Sequence, residues 1–133
     1  MNPASIDIKD MLVAEASLGL TFATNLFVGK EPATPDNCVT IFDTPGFPPD
    51  KMYDQSACYD RPSVQIRVRN TSYLTGWQLI HAIKEFLHCR NQSTWNSTLY
   101  SAIFCSQEPA LLDWDSNDRA RFVSTFDIQR REA

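Results

Sequence analysis

Residues 59–69 read YDRPSVQIRVR, and this stretch decides how the rest of the chain is interpreted. Apolar and polar residues alternate in its second half. Side chains of a β-strand point to opposite faces with a period of two. The stretch therefore predicts a strand with Val64, Ile66 and Val68 on a buried face. Gln65, Arg67 and Arg69 would then share the other face. That polar face fits a half-solvated antiparallel sheet, or equally a contact with another subunit.

The size and charge of the chain narrow its class. The 133 residues, 43% of them hydrophobic and 21% charged, predict one globular domain spanning residues 1–133. The net charge of −4 argues against a protein that coats nucleic acid, which requires clustered positive charge. It is compatible with a protein that DNA passes without binding.

The sequence gives no sign of export, membrane insertion or a bound cofactor. The first residues lack the pattern of a secretory signal, and no apolar run is long enough to span a membrane. We therefore expect a protein that is made and assembled in a cytoplasm, with no membrane partner. The cysteines, Cys38, Cys58, Cys89 and Cys105, are widely spaced, which predicts reduced thiols and no zinc site.

The first half of the chain predicts one helix, two strands and a long loop before the strand described above. Ser5 is a candidate helix cap, and Gly19 is a candidate stop for that helix. Residues 20–29 and 38–42 are rich in β-branched and aromatic residues, as strands are. Residues 43–62 contain four prolines and one glycine, namely Pro45, Gly46, Pro48, Pro49 and Pro62. This composition predicts a long Pro-rich loop between strands two and three.

The second half predicts a helix followed by two or three strands. Helical spacing of apolar residues runs from about Ser72 to Cys89, with Thr71 or Ser72 as its cap. Residues 94–106 predict strand structure with a tight reversal at Asn96 and Ser97. A polar connection over residues 108–119 then leads to a last strand at residues 120–130. The predicted fold is α+β, one mainly antiparallel curved sheet with both helices packed on one face.

No pattern indicates catalysis or metal binding. The run Asp113-x-Asp115-x-Asn117-Asp118 begins like a calcium loop, but it lacks the glycine and the glutamate that such a loop requires. His81 and His88 are seven residues apart, whereas helical metal-binding pairs are usually four apart. A small thiol hydrolase using Cys89 or Cys105 is a distant alternative, because no nucleophile signature surrounds either residue. We therefore expect a protein that is not an enzyme.

Several segments together resemble one family of phage proteins. Residues 38–46, CVTIFDTPG, look like that family's V-x-I-Y-D-T-P-G segment, and residues 59–69 resemble its next strand. The following helix, with Tyr73 and Ala82-Ile83, and the closing segment 126–130 fit in register. The family is that of phage tail terminator, or minor capsid (tail completion), proteins. This chain departs from it in the inserted residues 55–58 and in the acidic segment 113–119.

The resemblance implies a structural virion protein with an α+β fold. Members of the family form a ring, usually of six subunits, at the head-proximal end of the tail. The ring caps the tail tube, ends its polymerisation and joins it to the neck. The implied partners are further copies of the chain, the tail tube protein and a neck or stopper protein. The alternative is that the protein itself is a head-closure or stopper protein.

Two groups of residues are predicted to act in such a ring. The inter-subunit or partner interface combines the 43–62 loop with the arginines beside it, and its candidate residues are Asp43, Met52, Tyr53, Tyr59, Arg61, Arg67 and Arg69. We expect Arg67 and Arg69 to meet acids of the next subunit, such as Asp43 or Asp54. Asp113, Asp115 and Asp118 are expected to line the channel or its rim, because a basic lumen would hold the passing DNA.

Overall fold

A computed structural model describes residues 1–51 and 58–133, with no account of the Lys51 side chain. These residues form two α-helices, a short 3-10 turn at Ala16–Leu18 and one seven-stranded sheet. The elements are α1 (Ala4–Ala14), β1 (Leu26–Val28), β2 (Cys38–Lys51), β3 (Cys58–Asn70), α2 (Tyr73–Leu87), β4 (Arg90–Trp95), β5 (Thr98–Cys105), β6 (Ala110–Trp114) and β7 (Ala120–Glu132). The strands lie in the order β1-β2-β3-β7-β5-β4, and β6 also pairs with β7.

Strand β3 is central, as its alternation predicts. It pairs antiparallel with β2 on one side and with β7 on the other. Val64, Ile66 and Val68 are fully buried, opposite Phe126, Ser124 and Phe122 of β7. The two strands with the clearest period-two pattern therefore lie side by side and supply the floor of the core.

Both helices contribute to the same core over that floor. Ile8, Met11 and Leu12 of α1 are fully buried, and so are Ile80, Ile83 and Leu87 of α2. All six belong to one continuous cluster with Val64, Ile66 and Val68. The α+β fold is thus confirmed, with the sheet mainly antiparallel. Among the described strands, β1 and β2 pair in parallel and the other pairs are antiparallel.

The predicted loop over residues 43–62 is the largest difference from the sequence analysis. Strand β2 continues to Lys51 and β3 begins at Cys58, so most of the segment is a paired hairpin, and the Pro-rich loop is not confirmed. Register shifts between Thr44 and Phe47, and between Phe47 and Asp50, let the prolines fit between paired residues. At Gly46 an added Cβ would lie 2.1 Å from the carbonyl oxygen of Arg61, so this approach requires glycine.

The start of the chain also differs in detail. Helix α1 begins at Ala4 after Pro3, so Ser5 lies inside the helix and does not cap it. Instead, the Asp43 carboxylate of β2 accepts hydrogen bonds from the backbone N–H and the hydroxyl of Ser5, at 3.1 and 2.6 Å. A carboxylate at a helix N-terminus is favoured by the helix dipole. Gly19 ends the 3-10 turn rather than α1, and only Leu26–Val28 of the predicted strand 20–29 forms a strand.

The later elements follow the sequence closely, with one addition. Ser72 caps α2 by accepting a hydrogen bond from the Thr75 N–H, as predicted. Asn96 and Ser97, both with positive φ, make the reversal between β4 and β5. The supposed connection at 108–119 contains strand β6, which forms a hairpin with β7. The polar residues of this segment had suggested a connection without regular structure, but its first half forms a strand.

A buried polar cluster fastens α1 to the far edge of the sheet. Asp7 is fully buried and accepts hydrogen bonds from the Tyr100 hydroxyl and from the Asn96 amide. Arg130 donates to the Tyr100 hydroxyl and to the backbone carbonyl of Asn2. Burial, followed by the hydrogen bond to Asp7, raises the pKa of Tyr100, so its hydroxyl keeps its proton. The cluster is structural, because each group serves to satisfy another.

Candidate assembly surfaces

Arginines from β3 and β7 hold an acidic segment against the sheet. Glu31 accepts hydrogen bonds from Arg69 at 3.2 Å and from Arg121 at 3.3 Å. Arg69 also donates to the backbone carbonyls of Pro35 and Asp36. Its side chain is only 3% exposed. The residue predicted to face a neighbouring subunit is therefore engaged within its own chain.

The β6–β7 hairpin carries two further pairs. Arg121 makes a two-point contact with the Asp113 carboxylate, with both N···O distances 2.6 Å. Arg119 binds Asp115 at 2.7 Å and the backbone carbonyl of Ala33 at 2.8 Å. Its side chain is also 3.2 Å from the Asp36 carboxylate. The network therefore joins the 31–36 segment, β3 and the hairpin into one unit.

Two of the three acids predicted to line the channel, Asp113 and Asp115, are paired with arginines of the same chain. The hydrogen bonds from Arg121 lower the pKa of Asp113. Burial raises the pKa of Asp115, but the backbone and side-chain hydrogen bonds from Arg119 outweigh it and the net pKa is lowered. Both carboxylates are therefore charged but locally neutralised, whereas Asp118 is exposed at the turn with φ of 58°.

The other predicted interface residues lie along the β2–β3 hairpin. Arg61 forms an ion pair with Asp50 across the hairpin, and Tyr59 is half-buried. Arg67 stacks over the Phe42 ring, 5.0 Å from its centroid, and donates to the Gln65 side chain. Asp43 is bound to Ser5, as described above. Met52 and Tyr53, with Asp54, lie outside the described residues.

The structure brings together an apolar surface that sequence reasoning did not identify. We define the α2–β6 surface by its six exposed apolar residues, which are Tyr73, Leu74, Trp77, Leu111, Leu112 and Trp114. The Tyr73 and Trp114 rings stack with centroids 6.4 Å apart. The sequence carries a partial signal, because three large apolar residues stand close together in β6. That signal does not reveal the surface, because the sequence alone does not show that β6 lies beside α2.

Polar contacts close the other end of this surface. His81 stacks on Trp77 with ring centroids 3.7 Å apart, and its Nε2 is 3.4 Å from the Glu108 carboxylate. Lys84 lies 3.2 Å from Glu85 and 3.4 Å from Glu108. Hydrogen bonds to Glu85 and then to Glu108 raise the pKa of Lys84 despite some burial. The helix and the strand are thus joined at both ends of the surface.

Cys105 and both histidines have local partners. The Cys105 thiol lies 3.0 Å from the Gln107 carbonyl and 3.4 Å from the Ser124 hydroxyl. The ring Nδ1 of His88 accepts a hydrogen bond from the Cys105 backbone N–H, not from its thiol. Cys89 is exposed, with φ of 63°. Across residues 1–51 and 58–133, no three His, Cys, Asp or Glu side chains are grouped as a metal site would require.

The chain belongs to a family of structural phage proteins. A family model described as "Bacteriophage tail terminator protein" matches residues 7–131, nearly the whole chain. This places the chain in the bacteriophage tail terminator family, as the sequence resemblance predicted. It is accordingly a virion protein of the phage tail. No curated protein matches the chain. Among the helices of the described residues, none is both long and apolar enough to cross a membrane.

A solved virion structure contains the same fold. The structure titled "Virion of native gene transfer agent (GTA) particle" includes a chain that superposes with a TM-score of 0.64 at 12% sequence identity. The match covers 97% of this chain and 94% of the other. At that identity the likeness concerns the fold alone. The same fold thus occurs in a chain of that virion.

Proposed function

We propose that the protein caps the tail tube at its head-proximal end, ends tube polymerisation and joins the tail to the neck. The observation that carries this proposal is the tail terminator family match over residues 7–131. The fold shared with a chain of a gene transfer agent virion supports a place in an assembled particle. The family is structural, and the His88 ring nitrogen beside Cys105 is bound by the Cys105 backbone N–H rather than by its thiol, so an enzymatic role is not proposed.

The proposed assembly is a closed ring, six-fold by family expectation, on the tail tube. Head-to-tail contacts between identical subunits close into a ring when their rotation closes. We assign the ring contact to the β2–β3 hairpin, with Tyr59 and Arg61 as the described candidates. Met52 and Tyr53, which the sequence also suggested, lie outside the described residues. Arg67 is accessible enough to contribute. Arg69 and Asp43 are withdrawn from the contact, because their own chain already binds them.

The proposed lumen passes DNA without binding it. Of the three candidate acids, Asp113 and Asp115 are neutralised by Arg121 and Arg119, which leaves Asp118 to repel DNA at the rim. The net charge of −4 also disfavours a DNA-binding channel. An orientation in which the turn between β6 and β7 faces the lumen is therefore compatible with DNA passage. Asp118 is the residue of that turn to test.

Labelling in assembled particles tests the location. The protein, carrying a C-terminal epitope tag, would be supplied to a phage mutant that makes tails but no heads. Antibody-gold should mark one end of each tail in electron micrographs. Gold distributed along the tube, or found only on heads, contradicts the proposal. Label on heads alone would instead identify the head-closure or stopper role.

A further inference from the structure

The six residues of the α2–β6 surface are all exposed, and its helix and strand parts meet where Tyr73 stacks on Trp114. Leu74 is 62% exposed, Trp114 is 51% exposed and Tyr73 is 49% exposed, although the stacking of Tyr73 on Trp114 fixes both rings. Tyr73 also packs against the buried Phe122, with centroids 5.1 Å apart. These side chains are held in place by the fold and would lose little conformational freedom on binding. Rigid aromatic residues in such a position are typical anchors of protein interfaces.

The strand that forms half of this surface is also an open edge. Within the described residues, β6 pairs with β7 and with no other strand. It carries Leu111, Leu112 and Trp114 exposed within five residues. Proteins usually protect an edge strand with charge, proline or a covering segment, because an apolar edge promotes aggregation. An apolar edge retained in a virion protein is therefore expected to be covered after assembly.

Charge at the margin of the surface selects the partner. Glu85 and Glu108 are 77% and 69% exposed, and a single lysine, Lys84, lies between them. The turn that follows Trp114 adds the exposed Asp118. At the α2 end of the surface, exposed carboxylates thus outnumber lysines by two to one. Electrostatic complementarity then requires lysines or arginines around the apolar centre of whatever covers it.

A second copy of this chain does not offer such a surface among its described residues. The buried arginines Arg69, Arg119 and Arg130 are bound within their own chain, and Arg61 is paired with Asp50. Lys30 and Arg131 are exposed, but one follows β1 and the other lies near the end of β7. Lys9, Arg67 and Arg90 each lie over a single aromatic ring of their own chain, at 4.6, 5.0 and 4.6 Å from its centroid, rather than around a cluster of exposed apolar residues.

We infer that the α2–β6 surface is the docking site for a different virion protein, whose contact surface has apolar side chains surrounded by lysines or arginines. The inference rests on the proposed place of this protein at the end of the tail. It assigns the contact between copies and the contact with the partner to separate surfaces. The hairpin of β2 and β3 serves the first, and α2 with β6 serves the second.

The test compares particle binding with self-association for matched variants. Leu74→Glu with Leu112→Thr removes the apolar contact, and each change suits its element: glutamate near a helix N-terminus and threonine in a strand. Glu85→Gln with Glu108→Gln removes the two carboxylate charges at the margin, and with them the ion pairs to Lys84 and His81, but leaves the apolar residues in place. Phe22→Thr is the control, because Phe22 is an exposed apolar residue, 48% accessible, that does not belong to this surface. Heads and headless tails, purified from a phage mutant lacking this protein, serve as probes in co-sedimentation.

The wild-type protein and Phe22→Thr should co-sediment with one of the two particles. The Leu74→Glu/Leu112→Thr variant should bind that particle roughly tenfold more weakly or worse, as loss of interface anchors commonly does. The glutamine variant should bind more weakly at low salt and approach wild type at high salt. Sedimentation of the variants without particles should match that of the wild type.

The opposing outcomes are distinct. If the leucine variant keeps its particle binding, or if it loses self-association instead, the docking inference is overturned. Tighter particle binding by the glutamine variant would contradict the inference that lysines or arginines surround the partner's contact surface. If the wild type binds neither heads nor tails, the proposed function fails first, and the inference fails with it.

Discussion

At the scale of single residues, two positions depend on contacts that the sequence alone does not reveal. Gly46 lies against the Arg61 backbone, and Asp113 is held by Arg121. The first is a steric requirement of the hairpin and the second is electrostatic. They therefore respond to different experiments.

Replacing Gly46 with alanine should destabilise the β2–β3 hairpin. The new Cβ would lie 2.1 Å from a backbone oxygen, which no side-chain rotation relieves. We expect a loss of roughly 1–3 kcal/mol in the free energy of unfolding, as for other overpacked sites. Thermal melts of Gly46→Ala and of the control Pro48→Ala, an exposed position on the same strand, measure it. Equal melting temperatures for Gly46→Ala and wild type would contradict this packing.

Replacing Asp113 with asparagine should cost stability at neutral pH but not in acid. The pKa of Asp113 is lowered below its ordinary value of 3.8. Its stabilising effect is therefore present above that value and is lost as the pH falls through the folded-state pKa. Since the side chain is 43% exposed, solvent screening limits the effect to about 1 kcal/mol or less. Urea unfolding at pH 7 and pH 3 should show the difference between variant and wild type shrinking at pH 3. A difference that grows in acid would contradict the pairing.

At the scale of elements, α2 is set on the sheet by a close approach at Gly76. A Cβ there would lie 2.8 Å from the Phe122 ring, which is fully buried between helix and sheet. Alanine favours a helix over glycine by about 1 kcal/mol, so propensity and sterics oppose each other. Because Phe122 is fully buried and is also in edge contact with the Tyr73 ring, we expect the steric effect to dominate.

Gly76→Ala should therefore lower the melting temperature, whereas Gln78→Ala, an exposed change on the same helix, should leave it nearly unchanged or raise it slightly. Differential scanning calorimetry of both variants distinguishes the effects. A stabilised Gly76→Ala protein would show that Phe122 yields more easily than its burial indicates.

Some of these elements can be predicted from the sequence and others cannot. Strand β3, helix α2 and the Phe122–Ile128 half of β7 could be predicted because each buries one face, and burial imposes a period on the sequence. The hairpin beyond Thr44 could not, because register shifts allow prolines inside paired strands and hide the period. The α2–β6 surface was missed because it depends on which strand lies beside the helix. The internal binding of Arg69 was missed because its partners, in residues 31–36, are distant in sequence.

At the scale of the whole molecule, the proposal separates the contact between copies from the contact with a partner. Replacing Tyr59 and Arg61 together with alanine should weaken ring formation on the tube, while leaving the α2–β6 surface intact. The expected result is free, monomeric protein together with tails that carry little of it. Quantitative immunoblots of purified tails measure this. Normal occupancy in the variant would move the ring contact away from the described part of the hairpin.

The central claim is that this protein ends tail-tube polymerisation, and tail length tests it most directly. Electron micrographs of cells infected with a phage lacking the protein would give the distribution of tube lengths. The account predicts tubes that exceed the normal length with a broad distribution and are not joined to heads. Supplying the wild-type protein should restore one sharp length. Tails of normal, uniform length in the absence of the protein would contradict the account.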